Sequence, residues 1–250
     1  MSPSSSGFLT LSLDLELEIS RATPDQLRWL DQVTPELVAL LDTHAIAATW
    51  AVADPGRSAA TEAILNSRQK HELAVLGDRS WLGWGAGGSR ASRELARRIN
   101  GAAARQIRVR SLVLHNEASF ALDLPLQELG IQILRQPVGH ELIQPVALAS
   151  LSPDLLVVEQ VQRLSVPGWW AWDWESHLLA RCRRLGRLGG QFSGHLGLDA
   201  EQLCAGGSRG FQRWVQVVEA LARLRDRHQL TIQTLAQWGE RGSGRLTRVA

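Results

Sequence analysis

Cysteine is nearly absent: Cys182 and Cys204 are the only two in 250 residues. They form no CxxC pair and are too few for a disulfide framework, so neither a stapled secreted scaffold nor a cysteine zinc site is indicated. An excess of one charge sign is lacking too, since 27 basic residues face 25 acidic ones. That balance excludes nucleic-acid binding driven by bulk charge. No apolar run approaches bilayer-spanning length, and residues 1–7 carry neither the basic nor the apolar region of a signal peptide. The expectation is a soluble cytoplasmic protein with no membrane partner. Tyrosine is missing, and Lys70 is the only lysine in an otherwise all-arginine basic set, a bias of composition more than of chemistry.

What is present is an alternating rhythm. The hydrophobic content of 44% rules out disorder as the dominant state, and the length suits one βα-barrel domain. Strands are expected at 8–16, 46–52, 71–76, 111–114, 131–134, 155–158, 189–196 and 230–232. Helices are expected at 34–44, 56–67, 90–107, 123–129, 175–185 and 211–228, with a short one at the end. Thr34 as N-cap and Pro35 in the first helical position mark the start of the first helix. Such alternation, without linker or repeat, points to parallel βα units. Polar residues recur at the expected C-terminal strand ends: Asp14 and Glu16, Asp78, His115 and His195. In a barrel those ends share one mouth. An open doubly wound sheet would call for a glycine fingerprint after the first strand, and there is none. The expected organisation is a flexible 1–7, a barrel over 8–240 and a tail over 241–250.

Asp14 and Glu16 stand two apart on one strand, so both address the same face. Shared burial would raise the pKa of one of them, which is how a general base or a cation site arises. A solvated strand end is the alternative, because Glu18 continues the alternation. His195, flanked by Gly194, reads either as a satisfied core histidine or as a functional imidazole. Trp169, Trp170, Trp172 and Trp174 put four indoles into six residues. They could stack on sugar faces at the mouth, with Trp81 and Trp84 as the opposite wall. They could equally form a partner surface or a homo-oligomer contact. The glycine-rich loop 83–88 matches no phosphate-binding pattern and reads as a lid.

Taken in order, these segments resemble the polysaccharide deacetylases (NodB-homology, carbohydrate esterase family 4). Ser12-Leu13-Asp14-Leu15-Glu16 is similar to that family's first-strand carboxylate motif, and Ala47-Ala48-Thr49-Trp50-Ala51-Val52 to its Ala-Thr-Phe-Phe-Val segment. Lys70-His71-Glu72-Leu73-Ala74 resembles the Gly-His-Glu-Ile-Gly stretch leading into the second motif. Ser111-Leu112-Val113-Leu114-His115-Asn116 resembles the third motif, residues 189–195 the Leu-x-His of the last, and residues 230–235 the terminal segment.

The resemblance implies an α/β fold, a distorted (β/α)7 barrel, and metal-dependent removal of acetyl groups from carbohydrate. It implies Asp14 as base, Glu16 as metal carboxylate and His195 as acid. His115 falls at the third motif's arginine, with Asn116 beside it. Asp173, with Trp172 or Trp174, falls where substrate is lined. The family's two metal-histidine positions, however, fall on Leu76 and Ser80, neither of which is an imidazole. Several readings stay open. The chain is a degenerate deacetylase that keeps a carbohydrate or sugar ligand and needs no metal. Or Glu16, Asp78 and His115 hold a harder divalent cation, or Asp14, Glu16 and His195 run metal-free acid–base chemistry. Or the tryptophan cluster makes it an interaction protein.

Overall fold

A computed structural model describes residues 7–15, 17, 22–77, 81, 88–114, 126–137, 149–152, 155–160, 162–163, 180, 184 and 193–246. Its first strand sets the architecture. In β1 (Gly7–Asp14) leucines 9, 11 and 13 alternate with Thr10, Ser12 and Asp14, and all six are buried. With a period of two, the leucines take one face and the polar residues the other. The leucines join the large cluster made with the helices. The polar face looks into the barrel.

The same division runs around the sheet. Trp50 and Val52 of β2 (Thr49–Val52), Leu73 and Val75 of β3 (Glu72–Gly77), and Leu112 and Leu114 of β4 (Ser111–Leu114) pack outward into the helix-side cluster. Ala51, Ala74, Leu76, Val113 and Ile133 form a separate inner cluster, Ile133 coming from β5 (Ile133–Pro137). β1 to β5 lie side by side in chain order, all parallel. β7 (Leu155–Gln160) pairs with β5, and β8 (Gln162–Arg163), one residue further on, pairs with β9 (Ser193–Asp199). β9 returns to β1. These pairings make one strongly curved parallel sheet, a distorted βα half-barrel. β10 (Leu230–Gln233) adds to the first half of β1, and β6 (Ala149–Ser152) is an antiparallel edge on β7.

The outer layer holds α1 (Pro24–Thr43), α2 (Ala60–Leu65), α3 (Gly88–Ala104) and α4 (Ala200–Asp226). α1 buries Leu30, Val33, Thr34, Leu37, Val38 and Leu41, the spacing of a one-faced helix. It begins ahead of the expected Thr34 start: Thr23 caps it, its hydroxyl accepting from the Gln26 N–H while the Gln26 side chain accepts from the Thr23 N–H. Pro35 lies inside the helix on its exposed side, where water can replace the bond a proline removes. Gly56 sits so close to α3 that a Cβ there would lie 2.7 Å from the Gly101 carbonyl carbon. α4 also begins before the expected residue 211, capped by Asp199, and kinks at Gly207 (φ 51°). α5 (Leu235–Leu246) follows β10 directly and runs past residue 240. The short helix expected at 123–129 ends in a hydrogen-bonded turn, with the Gly130 N–H donating to Gln127 O, and its residues 123–125 lie outside the described set.

Candidate functional site

Beside the inner apolar cluster, the barrel interior holds two separate polar networks. The first closes the N-terminal end. Thr49, Glu72 and Ser111 are the first residues of β2, β3 and β4. The Glu72 carboxylate accepts from the Thr49 hydroxyl (2.8 Å), from the Ser111 hydroxyl and from the Ala236 N–H (2.8 Å). Thr49 Oγ1 in turn accepts from the Leu235 N–H (2.8 Å). These bonds occupy the free N–H groups at the start of α5 and fix that helix across the barrel floor, where Leu235 and Trp238 join the inner cluster. Burial pushes the Glu72 carboxyl above its ordinary value, while the donors around it act in the other direction.

The second network lies nearer the mouth. Arg135 of β5 reaches across the barrel to Asp14, Nη1 to Oδ1 at 2.9 Å and Nη2 to Oδ2 at 2.5 Å. β2, β3 and β4 stand between these strands in the sheet, so only a curved sheet lets the two side chains meet. Arg135 Nη1 also donates to Ser12 Oγ (2.9 Å), and Nη2 to the Leu114 carbonyl (3.3 Å). Ser12 Oγ lies 3.1 Å from His195 Nε2, and His195 Nδ1 lies 2.7 Å from Thr10 Oγ1. Thr10 donates to the Gly194 carbonyl (3.2 Å).

One tautomer serves every group in this chain. With the Thr10 proton on the Gly194 carbonyl, Thr10 accepts from His195 Nδ1–H. Ser12 accepts from Arg135, which leaves its own proton for His195 Nε2. The chain therefore runs from the Arg135 guanidinium through the Ser12 hydroxyl and a neutral imidazole to Thr10 and the backbone. Burial first, and the Arg135 charge second, hold His195 well below the ordinary histidine range. In this state Nε2 has no proton to give, and Asp14 is an anion gripped on both oxygens. Such a buried bidentate pair is rigid, and its worth lies mainly in what is lost when one partner goes.

Asp14 and His195 thus share the inner face, joined through Ser12 and Arg135. One expectation is corrected: His195 is not at a strand's C-terminal end. β9 runs from Ser193 to Asp199, so the histidine stands near its start, level with Thr10 and below Asp14. Arg135 is the residue that sequence reasoning missed. An arginine two positions after Ile133, and so on the same face of the expected strand, was the available signal. His115, the expected stand-in for the third motif's arginine, lies outside the described residues, as do Glu16, Asp78, Asn116, Trp172, Asp173 and Trp174. Ser80, Trp84, Trp169, Trp170 and the loop 83–87 lie there as well. Trp81 is 4% exposed, with the Arg98 guanidinium 4.5 Å over its ring.

Leu76, at one of the two expected metal-histidine positions, is 1% exposed within the inner apolar cluster. Among the described residues no group of three or more His, Cys, Asp or Glu could hold a metal ion. The described residues do not fit the deacetylase metal, because Leu76, at an expected imidazole position, offers no ligand atom.

Neither a protein-family model nor a curated protein matches the chain in sequence. Solved structures do match in shape. The 4-alpha-glucanotransferase from Thermococcus litoralis superposes at TM-score 0.61 with 9% identity, over 93% of this chain and 40% of that one. The chain therefore spans well under half of that protein's length. The fold is a distorted βα barrel. Two mutants of a CE4 family pseudoenzyme, one described as having restored enzymatic activity, superpose at TM-scores of 0.48 and 0.49, each with 9% identity over 94% of this chain and 68% of theirs. No helix among the described residues is long and apolar enough to cross a membrane.

Proposed function

We propose that this chain is a carbohydrate- or sugar-ligand-binding barrel of the deacetylase type in which metal-dependent hydrolysis has been lost. Leu76 carries the reading. An aliphatic side chain stands where the sequence resemblance implies an imidazole ligand, and it is sealed among Ala51, Ala74, Val113 and Ile133. A lone ligand change could be compensated, but losing most of a ligand set removes most of the affinity for a catalytic cation. The Asp14–Arg135 pair supports loss of hydrolysis from the side of the base, because a carboxylate clamped on both oxygens by a buried guanidinium is a poor proton acceptor.

In this reading the sugar is met at the mouth by His115, Asn116, Asp173, Trp172 and Trp174, with indole faces stacking on the CH surface of the ring. Fluorescence titration with chito-oligosaccharides tests it. A saturable change that weakens in Trp172→Ala and Trp174→Ala is expected. A spectrum unaltered through millimolar ligand overturns it.

A further inference from the structure

At the N-terminal end of the strands, away from the mouth, lies a cleft of about 600 Å³. Arg68 and Lys70 reach it from the segment between α2 and β3, Arg108 and Arg110 from the segment between α3 and β4, and Glu240 from α5. Arg110 is spoken for, since it pairs with Glu240. Glu72, the cleft's other carboxyl, is buried and bound by Thr49, Ser111 and the Ala236 N–H. Arg68, Lys70 and Arg108 are exposed, and no carboxylate among the described residues pairs with them. The chain's only lysine is one of the three.

The arginines of α3 nearby do hold acids: Arg97 holds Glu94 and Asp54, Arg98 holds Glu94, and Arg105, just beyond it, holds Glu62. Three unpaired cations around one concavity repel each other, and an anion placed between them relieves that repulsion while gaining charge-assisted hydrogen bonds. His71 on the wall is held by the fold: its Nδ1 accepts from the Ala48 N–H (3.1 Å) and its ring stands edge-on to Trp50 at 5.5 Å. Beside the cations the lining turns apolar. Leu65, 49% exposed and one of two large hydrophobic side chains so open among the described residues, lies on this cleft with Ile64 and Ile107.

We propose that this cleft is a second ligand site, separate from the barrel mouth, for a small organic phosphate. Arg68, Lys70 and Arg108 take the phosphate oxygens, and the Leu65 wall takes the organic body. The volume is in the range of small-molecule sites.

Isothermal titration at low salt with two probes, pyrophosphate and ADP, tests the assignment. Both are expected to bind saturably. Because each lost charge-assisted contact is worth about tenfold in affinity, the double variant Arg68→Ala/Arg108→Ala is expected to weaken both by about a hundredfold. Leu65→Ser is expected to weaken ADP and spare pyrophosphate. These positions are on the surface, and unchanged thermal unfolding of each variant confirms that the fold persists. Absence of saturable heat for both probes, or binding indifferent to the double variant, overturns the site. Equal effects of Leu65→Ser on the two probes overturn the organic-phosphate assignment.

Discussion

Replacing Arg135 by methionine perturbs the structure at the point where its long-range geometry is most concentrated. Methionine keeps much of the side-chain volume but removes the guanidinium that bridges β5 to Asp14, Ser12 and the Leu114 carbonyl. The side chains of Arg135 and Asp14 are 1% and 6% exposed, so water cannot take the guanidinium's place at the carboxylate without opening the barrel. Removing one partner of a buried pair costs about 3–5 kcal/mol, because the other charge is left uncompensated. At about 2–4 °C of melting temperature per kcal/mol for a chain of this size, the loss is about 6–20 °C. Urea unfolding gives the free energy and scanning calorimetry the melting temperature. The double variant Asp14→Leu/Arg135→Met removes both charges, and it should recover most of the deficit, so the cycle reads a strong coupling between the two positions. A single variant within about 1 kcal/mol of wild type, the range of exposed pairs, would mean that the two groups do not act as a buried charge pair. So would additivity of the two substitutions.

Two further outcomes follow from the buried imidazoles. Burial, outweighing the nearby Asp42 charge, pushes His71 down to about 4, against an ordinary value of about 6.5 in the unfolded chain. Between those values the unfolded state binds more protons, so stability is full above about pH 6.5 and falls by up to about 3 kcal/mol as pH drops toward 4. In His71→Gln, which keeps an acceptor for the Ala48 N–H, urea unfolding should show a flatter acid limb, and parallel limbs would contradict the assignment. For His195, nitrogen-detected NMR of the imidazole should show the neutral Nδ1–H form with no titration near pH 6. An Nε2–H tautomer or a charged ring would break the proposed donor order.

Much of the architecture was legible. The leucine–polar alternation of β1 marks an inward polar face and an outward apolar one, and the strand–helix rhythm marks parallel units. Asp14 was readable as an inward carboxylate for that reason. Boundaries were harder. Thr23-Pro24 and Thr34-Pro35 both look like helix starts, and the deciding detail is Gln26 three residues after Thr23, which completes a capping box, whereas Leu37 stands in that place after Thr34. His195 looked like a strand-end residue because the strand was expected to stop at residue 196, whereas β9 continues to Asp199. Arg135 could not have been matched to Asp14 from the sequence, since the contact spans 121 positions and exists only once the sheet has curved. The Glu72 network was hidden for a related reason. His71-Glu72 resembles a motif that leads toward a site, yet Glu72 itself anchors α5 at the opposite end of the strands.

Among the described residues, Arg135 and Leu76 fill the inner face around Asp14, and neither offers a ligand to a catalytic cation. Equilibrium dialysis of the whole chain against micromolar zinc or manganese, followed by elemental analysis, measures whether one is held. Far less than one equivalent should be retained, with no change on Asp14→Ala. One tightly held equivalent of either ion, above all one released by Asp14→Ala or Glu16→Ala, would contradict it.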